Sequence, residues 1–580
     1  MIPAMKRMVM AVALAVVAAG VVMQGSSEPL RAKHGMVVSV QATASKIGAD
    51  VLKDGGNAID AAVAVGFALA VTHPTAGNLG GGGFFVYRPA NGEPVTYDFR
   101  EMAPAKANAT MFLKDGTYSA EVHHRSHIAV GVPGTVAGMH MAWKAHGKLP
   151  WKRLVEPAIA LARDGFPMTE NFARSLAEVL PSMKKYPASV AQFSKNGVPY
   201  EAGEIFKQPD LAKTLQRIAD KGPAGFYEGE TAALIEKEMM ANGGIITRED
   251  LKNYVPKQRV PVRGTYRGYD IISMPPISSG GVALIEMLNI LEGYDLAANG
   301  YGSAQNAHLI IEAMRRAYAD RARFVGDPDF NPDMPVTKLI SKDHAAALRK
   351  TISLEKSSKS TPTSFEWPAE SDETTHYSVV DGEKNAVSVT YTLEAGYGSK
   401  ITVPGAGFLL NNEMGDFNAG PGLTDDKGLI GTDPNLAAPK KRMLSSMTPT
   451  IIAKDGQLVL VTGSPGGRTI INTVLHTVLY TIDFQMNVQE AVDAPRFHHQ
   501  WLPDRVSYEK YGFSADTLKL LESRGHTLQP MGRQGMVEAI AFNPKTGMLE
   551  AGVDGRDTDG AAVGLDTAPA AAKAHGTGSR

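Results

Sequence analysis

The chain has 580 residues, 43% hydrophobic and 21% charged, the composition of a folded globular protein and not of a disordered one. Its 59 basic and 60 acidic residues leave a net charge of −1, so the overall charge points to neither nucleic acid nor an anionic membrane as a partner. There is no cysteine, which excludes disulfides, thiolate metal sites and cysteine nucleophiles and leaves Ser, Thr, Lys or a carboxylate to attack a substrate.

At the N-terminus, Lys6 and Arg7 precede an apolar run from Met8 to Met23, and Gly25, Ser26 and Ser27 follow it. Basic, apolar and small-residue regions in that order read as a secretory signal peptide over residues 1–25. An uncleaved anchor is the alternative, but the run is short for a full span. No later stretch is long and apolar enough to cross a membrane, so no stable membrane span is expected after signal removal. The expected location is the bacterial periplasm or exterior, where disulfides are permitted but not required.

Residues 33–72 read as compact α/β structure. Asn57, with Asp60 three positions later, caps a helix over AAVAVGFALAV, which is apolar nearly all round and therefore expected to be buried. Gly80 to Gly83 come next, then a strand from Phe84 to Arg88. The glycines precede a strand and carry no GKS or GKT, so they predict close backbone approach and not a phosphate loop. From Gly131 to Gly326 the pattern is mostly helical. Its clearest helix runs from Ser303, the cap, to Arg323, with Gly326 just beyond the end. Ser353 to Glu373 is polar, Ser-rich and broken by Pro362 and Pro368, as expected of an exposed, mobile segment.

The pattern then turns to β. Strands are predicted at His376–Val380, Asn385–Leu393, Phe408–Leu410, Pro449–Ala453 and Gln457–Thr462, with a helix from about Thr469. The Ala-, Gly- and Pro-rich tail after Asp566 is expected to be disordered. A mobile segment thus runs directly into a strand that begins Thr374, Thr375, His376, which is what a built-in cleavage site would need.

The segment TTHYSVVD (Thr374 to Asp381), followed by NAVSVTYTLE, resembles the start of the small subunit of gamma-glutamyltranspeptidases. DFREMAPAKA (from Asp98), LLNNEMGDF (from Leu409), LSSMTPT (from Leu444), GSPGG (from Gly463) and APRFHHQWLP (from Ala494) also occur in family order. The resemblance implies a four-layer αββα N-terminal nucleophile hydrolase sandwich, an α/β (α+β) fold. It also implies self-cleavage between Glu373 and Thr374. The two pieces, 26–373 and 374–580, would then form one folded unit. A threonine hydroxyl is a weak nucleophile, and a free α-amine on the same residue, with a pKa of about 7.7–8.0, can serve as its base. Thr374 must therefore become an N-terminus before it can act.

The implied reaction transfers a γ-glutamyl group from glutathione or a related amide to Thr374, and then to water or to an amino acid or dipeptide. By resemblance, Thr392 hydrogen-bonds the nucleophile, and Gly466 and Gly467 supply backbone N–H groups to the tetrahedral intermediate. Arg100, Ser445 and Ser446 match positions that hold the substrate α-carboxylate. Glu394, Glu413 and Asp416 match positions that face its ammonium. Family members commonly carry an amide at one or both of the first two of these positions, where this chain has acids at both. Pro421 to Thr432 matches a lid loop in length, with Lys427 where many members have an aromatic. A lid there implies small donors such as glutathione.

No cofactor is expected. The histidines of HHRSH (His123, His124, His127) and the pair His498 and His499 lack metal-ligand spacing, so no metal is expected and the rings read as structural. His376 reads as structural too, since an amine serves as base. Two other readings fit parts of the sequence. One is a relative acting on glutaryl-cephalosporin side chains, which lack the amine that the acids would hold. The other is a catalytically silent secreted binding protein, which would have no use for Thr374, Thr392 and the glycines.

Overall fold

A computed structural model describes residues 27–361, 374–423 and 431–568. The expected signal peptide, Glu373, Lys427, most of the Ser-rich segment beyond Thr361 and the end of the tail lie outside these residues.

Two seven-stranded antiparallel sheets form the centre. The first runs, in spatial order, Ala561–Gly564, Gly35–Ser39, Thr375–Asp381, Ala386–Thr392, Gly82–Arg88, Val95–Asp98 and Lys257–Arg259. The second runs Leu30–Ala32, Met548–Val553, Glu538–Asn543, Gln457–Thr462, Thr450–Lys454, Tyr269–Ser273 and Val262–Tyr266.

Alternation along the strands sorts side chains between two cores. Tyr377, Val379, Val387 and Val389 join an outer core with the helix Ala58–Thr72. Met36, Val38, Phe84, Val86 and Val380 point the other way and share a core with Ile451, Ile452 and Leu460 of the second sheet. The helix Gly280–Leu291 covers the outer face of the second sheet, flanked by Ala304–Phe324 and Thr469–Ile482. The layers are helix, sheet, sheet, helix, the expected αββα sandwich.

The helix Ala58–Thr72 begins where the sequence predicts. Asn57 accepts from the Asp60 N–H and Asp60 from the Asn57 N–H, and every residue of the helix is buried. Each fully buried Val, Leu, Ile or Phe there contributes about 1.5–3 kcal/mol, which holds this layer on the sheet. Ser303 caps Ala304–Phe324, also as predicted. The glycine run is a close-approach device. A Cβ on Gly80 would stand 2.2 Å from the Leu409 carbonyl oxygen, and one on Gly81 2.0 Å from that of Thr392.

Two expectations need correcting. The stretch read as mostly helical contains the strands Lys257–Arg259, Val262–Tyr266 and Tyr269–Ser273. Lys257–Arg259 and Val262–Tyr266 are edge strands, while Tyr269–Ser273 pairs on both sides, with Val262–Tyr266 and with Thr450–Lys454. Phe408–Leu410 forms no regular strand, and single bridges pair Leu409 with Thr402 and Leu410 with Gly80.

Candidate active site

Thr374 stands just before the strand Thr375–Asp381, and Thr392 ends the neighbouring strand. Thr375 pairs with Tyr391 and His376 with Thr390, so the next step along the ladder brings Thr374 opposite Thr392. The Thr374 hydroxyl donates to Thr392 Oγ1 at 3.3 Å, and that oxygen also accepts the Glu394 N–H at 2.9 Å. Asn78 fixes the end of this strand. Its side chain donates to the Thr392 carbonyl at 2.8 Å and accepts from the Gly81 N–H at 3.0 Å.

Both threonines point between the sheets, as do His376, Ser378 and Ser388. The Ser378 hydroxyl donates to the Glu538 carbonyl and the Ser388 hydroxyl to that of Thr462, so these two buried hydroxyls are satisfied. His376 lies against Thr390 and Ser378, and burial pushes its imidazole down to about 3, so it stays neutral.

Arg100, Thr374, Thr392, Glu394, Glu413, Asp416, Ser445, Ser446 and Gly467 line one small cavity. Among the sequence-predicted site residues, Gly466 is on the neighbouring turn and Glu373 is outside the described residues. Arg100 is completely buried and forks onto Glu413 and Asp416, with Glu101 at 3.8 Å. Its guanidinium also donates to the Met443 and Leu444 carbonyls at 3.3 and 3.1 Å. Burial acts to discharge Arg100, but Glu413, Asp416 and Glu101 outweigh it and hold its charge above the ordinary arginine range. Burial raises the carboxyl groups in turn, Glu101 to about 8 and Glu413 well above its usual range, each opposed by Arg100. Sequence reasoning set Arg100 on the α-carboxylate and Glu413 and Asp416 on the neighbouring ammonium of one ligand, and the structure pairs these three side chains with one another in a single cluster.

Glu394 adopts a left-handed backbone with φ +77°. Its carboxylate takes a hydrogen bond from Asn412 and faces His124 Nδ1 at 3.5 Å. The cavity wall thus carries three carboxylates and one guanidinium. A wall that sets carboxyl groups beside a fixed cation suits a ligand that has both an ammonium and a carboxylate.

Ser445 and Ser446 follow a stretch braced from the large helical layer. The Ser279 hydroxyl donates to the Ser445 carbonyl at 2.7 Å. Arg321 reaches both serine segments, with Nε on Ser279 Oγ and Nη2 on Ser446 Oγ at 2.7 Å. An arginine only donates, so Ser446 is the acceptor here and its own proton lies on another side of the oxygen. Sequence reasoning missed Arg321. The signal was there, since it shares a helix stripe with buried Met314, Ala317 and Tyr318, where a charge is out of pattern. His124 and Asn412 were also missed as partners of Glu394, and nothing in their spacing marks them.

Gly466 and Gly467 have φ +128° and +52°, values that favour glycine. A Cβ on Gly466 would stand 2.5 Å from Thr469 Oγ1. Their carbonyls turn toward the helix Thr469–Ile482, accepting from the Thr469 and Ile470 N–H groups at 3.0 and 3.2 Å. Among the described residues neither glycine N–H donates a hydrogen bond to the protein. Two such donors beside a nucleophile fit a developing oxyanion.

The histidine clusters do not converge on common points. His123 bonds Met414 and Tyr118, His124 faces Glu394, and His127 bonds Glu238. His498 bonds Asn472 and Gln500, and His499 bonds Asp504. The lid-like segment closes at its base through Gly422 N–H to the Gly431 carbonyl at 3.1 Å.

A family model described as gamma-glutamyltranspeptidase matches residues 44–564. The chain belongs to the gamma-glutamyltranspeptidase family. It is 50% identical over 544 residues to the glutathione hydrolase proenzyme of Escherichia coli K12, covering 92% of this chain and 93% of the relative. It is 41% identical to that of Pseudomonas aeruginosa, covering 92% and 95%. Among solved structures, the cephalosporin acylase of Bacillus halodurans superposes with a TM-score of 0.82 at 29% identity, covering 95% of this chain and 99% of that one. The gamma-glutamyltranspeptidase of Helicobacter pylori matches at 52% identity and a TM-score of 0.53, covering 54% and 90%. Relatives of this gamma-glutamyltranspeptidase family member thus bear names of two activities on one fold, and the cavity must distinguish them.

Proposed function

We infer that the protein is a glutathione hydrolase and γ-glutamyl transferase that uses Thr374 as its nucleophile. The observation that carries this reading is the meeting of the Thr374 and Thr392 hydroxyls in a cavity that also holds Arg100, Glu394, Glu413 and Asp416. Cleavage before Thr374 would first free its α-amine. In acylation, the amine takes the hydroxyl proton as Oγ1 attacks the γ-carbonyl of the donor. The oxyanion is stabilised by the Gly466 and Gly467 N–H groups. The tetrahedral intermediate collapses with loss of the peptide amine, which receives that proton. In deacylation, water or an incoming amine attacks the ester carbonyl, its proton passes to the Thr374 amine, and the Thr374 oxygen leaves and recovers the proton. Arg100, Ser445 and Ser446 hold the donor α-carboxylate, and Glu394, Glu413 and Asp416 hold its ammonium.

A glutaryl group has no ammonium to set against Glu394, Glu413 and Asp416, so the γ-glutamyl reading fits this cavity better than the acylase reading does. Cleavage into pieces 26–373 and 374–580, and export directed by residues 1–25, belong to the same proposal. Among the described residues no helix is long and apolar enough to cross a membrane.

The test is a denaturing gel of purified protein, N-terminal sequencing of the smaller band, and an assay with glutathione and with glutaryl amides. A small band beginning Thr-Thr-His-Tyr, absent in Thr374→Ala, together with preference for glutathione, is the expected result. Full activity in Thr374→Ala would overturn it.

A further inference from the structure

Away from the cavity of Thr374, three side chains from distant parts of the sequence meet in the outer helical layer. Glu286 lies on the helix Gly280–Leu291, Asp320 on Ala304–Phe324 and His344 on Lys342–Arg349. One nitrogen or oxygen atom from each lies within 4.8 Å of the other two. His344 Nε2 stands 2.7 Å from Asp320 Oδ2 and 3.9 Å from Glu286 Oε1. The surrounding helices hold this arrangement. Ser341 caps the third helix by accepting the His344 N–H at 3.1 Å. Lys342 ties the same turn to the Thr265 carbonyl at 2.6 Å and to Glu292 at 2.5 Å. Asn289, one turn beyond Glu286, donates to the Ile340 carbonyl at 2.7 Å. No spacing motif joins the three positions, so the sequence by itself does not mark them.

Glu286 is the unusual member. Its side chain is 1% exposed, against 19% for Asp320 and 15% for His344. Among the described residues no donor reaches Glu286 Oε1. A buried carboxyl oxygen without a partner is costly and asks for an explanation. Burial, with Asp320 as its neighbour, pushes Glu286 well above the usual carboxylate range. A second cluster, His308, Glu312 and His526, provides the contrast. There Arg315 and Arg316 pair with Glu312 and, against its burial, lower it to about 2, so the countercharge is already in place. Among the described residues no lysine or arginine pairs with Glu286 or Asp320, and the His344 ring is the one basic group they share.

We propose that Glu286, Asp320 and His344 bind a divalent transition-metal ion of the zinc type, with water completing its coordination. One imidazole and two carboxylates are a ligand set that zinc accepts, with bonds of about 2.0–2.2 Å. Ligand atoms on such a sphere stand roughly 3–4 Å apart, so closing on an ion asks for side-chain shifts of about 1 Å. The ion gives Glu286 Oε1 the positive partner that the protein does not. The partial exposure of Asp320 and His344 leaves a route from solvent and room for the water. His344 ligates through Nε2 as the neutral ring, with its proton on Nδ1. The bound ion joins two helices that matter elsewhere. Ser279 immediately precedes the first, and Arg321 follows Asp320 on the second. Ser279 and Arg321 hold Ser445 and Ser446, so the ion braces that support from outside.

The experiment uses tag-free full-length protein dialysed against a chelator and then titrated with Zn²⁺ by calorimetry, with Co²⁺ as a spectroscopic probe. The parent should take up one tight Zn²⁺ per chain, and Co²⁺ at the same site should give visible d–d absorption that Zn²⁺ abolishes. Glu286→Gln keeps the shape of the side chain and removes its charge, and His344→Ala alters a partly exposed position that the fold tolerates. Each should weaken Zn²⁺ binding by about 100-fold or more and remove the Co²⁺ bands. His526→Gln, in the second cluster, should leave both readouts as in the parent. Circular dichroism confirms that each variant is folded. Absence of tight Zn²⁺ binding in the parent would overturn the proposal. So would binding that survives both Glu286→Gln and His344→Ala, or that is lost in His526→Gln alone.

Discussion

The hydroxyl oxygens of Thr374 and Thr392 lie 3.3 Å apart because the antiparallel ladder sets the residue before one strand across from the last residue of the next. Thr392→Val keeps the branched shape and removes the hydroxyl. It should lower kcat by about 100-fold while leaving KM for the donor nearly unchanged, since the lost hydrogen bond acts on the reacting oxygen. Steady-state kinetics on the processed protein checks this, and a rise in KM with normal kcat would assign Thr392 to binding alone.

Arg321 touches Ser446 from behind, so its substitution should be felt by the substrate carboxylate. Arg321→Lys keeps the charge but cannot span Ser279 and Ser446 with one planar fork. KM for glutathione should rise by about tenfold or more. The effect should be smaller for a donor whose glutamyl α-carboxylate is amidated, and a kinetic comparison of the two donors reads the difference.

Glu394 is one of three carboxylates on the cavity wall and is held by Asn412 and His124. Glu394→Gln removes a negative charge facing the donor ammonium. KM for γ-glutamyl-p-nitroanilide should rise by roughly three- to tenfold, and discrimination against glutaryl-p-nitroanilide should shrink by a similar factor. An unchanged ratio between the two donors would show that Glu413 and Asp416 alone read the ammonium.

Buried imidazoles make the fold sensitive to acid. Burial is the leading cause that lowers His376, His498 and His526 to about 3 and His476 and His499 to about 4. In the unfolded chain each takes up a proton as pH falls below about 6.5, while in the folded chain none does until near its lowered value. Each therefore removes about 1.4 kcal/mol of stability per pH unit across that window. Glu312 adds to the loss below about pH 4.3, because Arg315 and Arg316 overcome its burial and lower it to about 2. The Tm should fall steadily from pH 7 to pH 4 in calorimetry, and a flat profile would contradict these shifts.

Much of this was legible in the sequence where a local rule acts alone. The Asn57–Asp60 box, the Ser303 cap and the paired strands around Asp381 and Gly382 depend on neighbours in the chain. The glycines at 80–83 announced close approach without saying to what, because the carbonyls they meet belong to Thr392 and Leu409. The strands Lys257–Arg259 and Tyr269–Ser273 were missed because pairing partners distant in sequence, not alternation, make them strands. At the site, residue types suggested which chemistry was present. The pairing of Arg100 with Glu413 and Asp416 depends on how two segments more than 300 residues apart pack, and no spacing encodes it.

In the first sheet, the central strands Thr375–Asp381 and Ala386–Thr392 lie between Gly35–Ser39 and Gly82–Arg88, which come from the other side of the proposed cut. The halves are therefore threaded through each other, and cutting the bond before Thr374 would release neither. It would change what unfolding means. A single chain refolds at a rate independent of its concentration, but two threaded pieces that came apart would first have to meet again, with bare strand edges exposed to every other copy in solution. The mature enzyme would then owe its persistence to a high barrier against opening and not to any ability to reassemble.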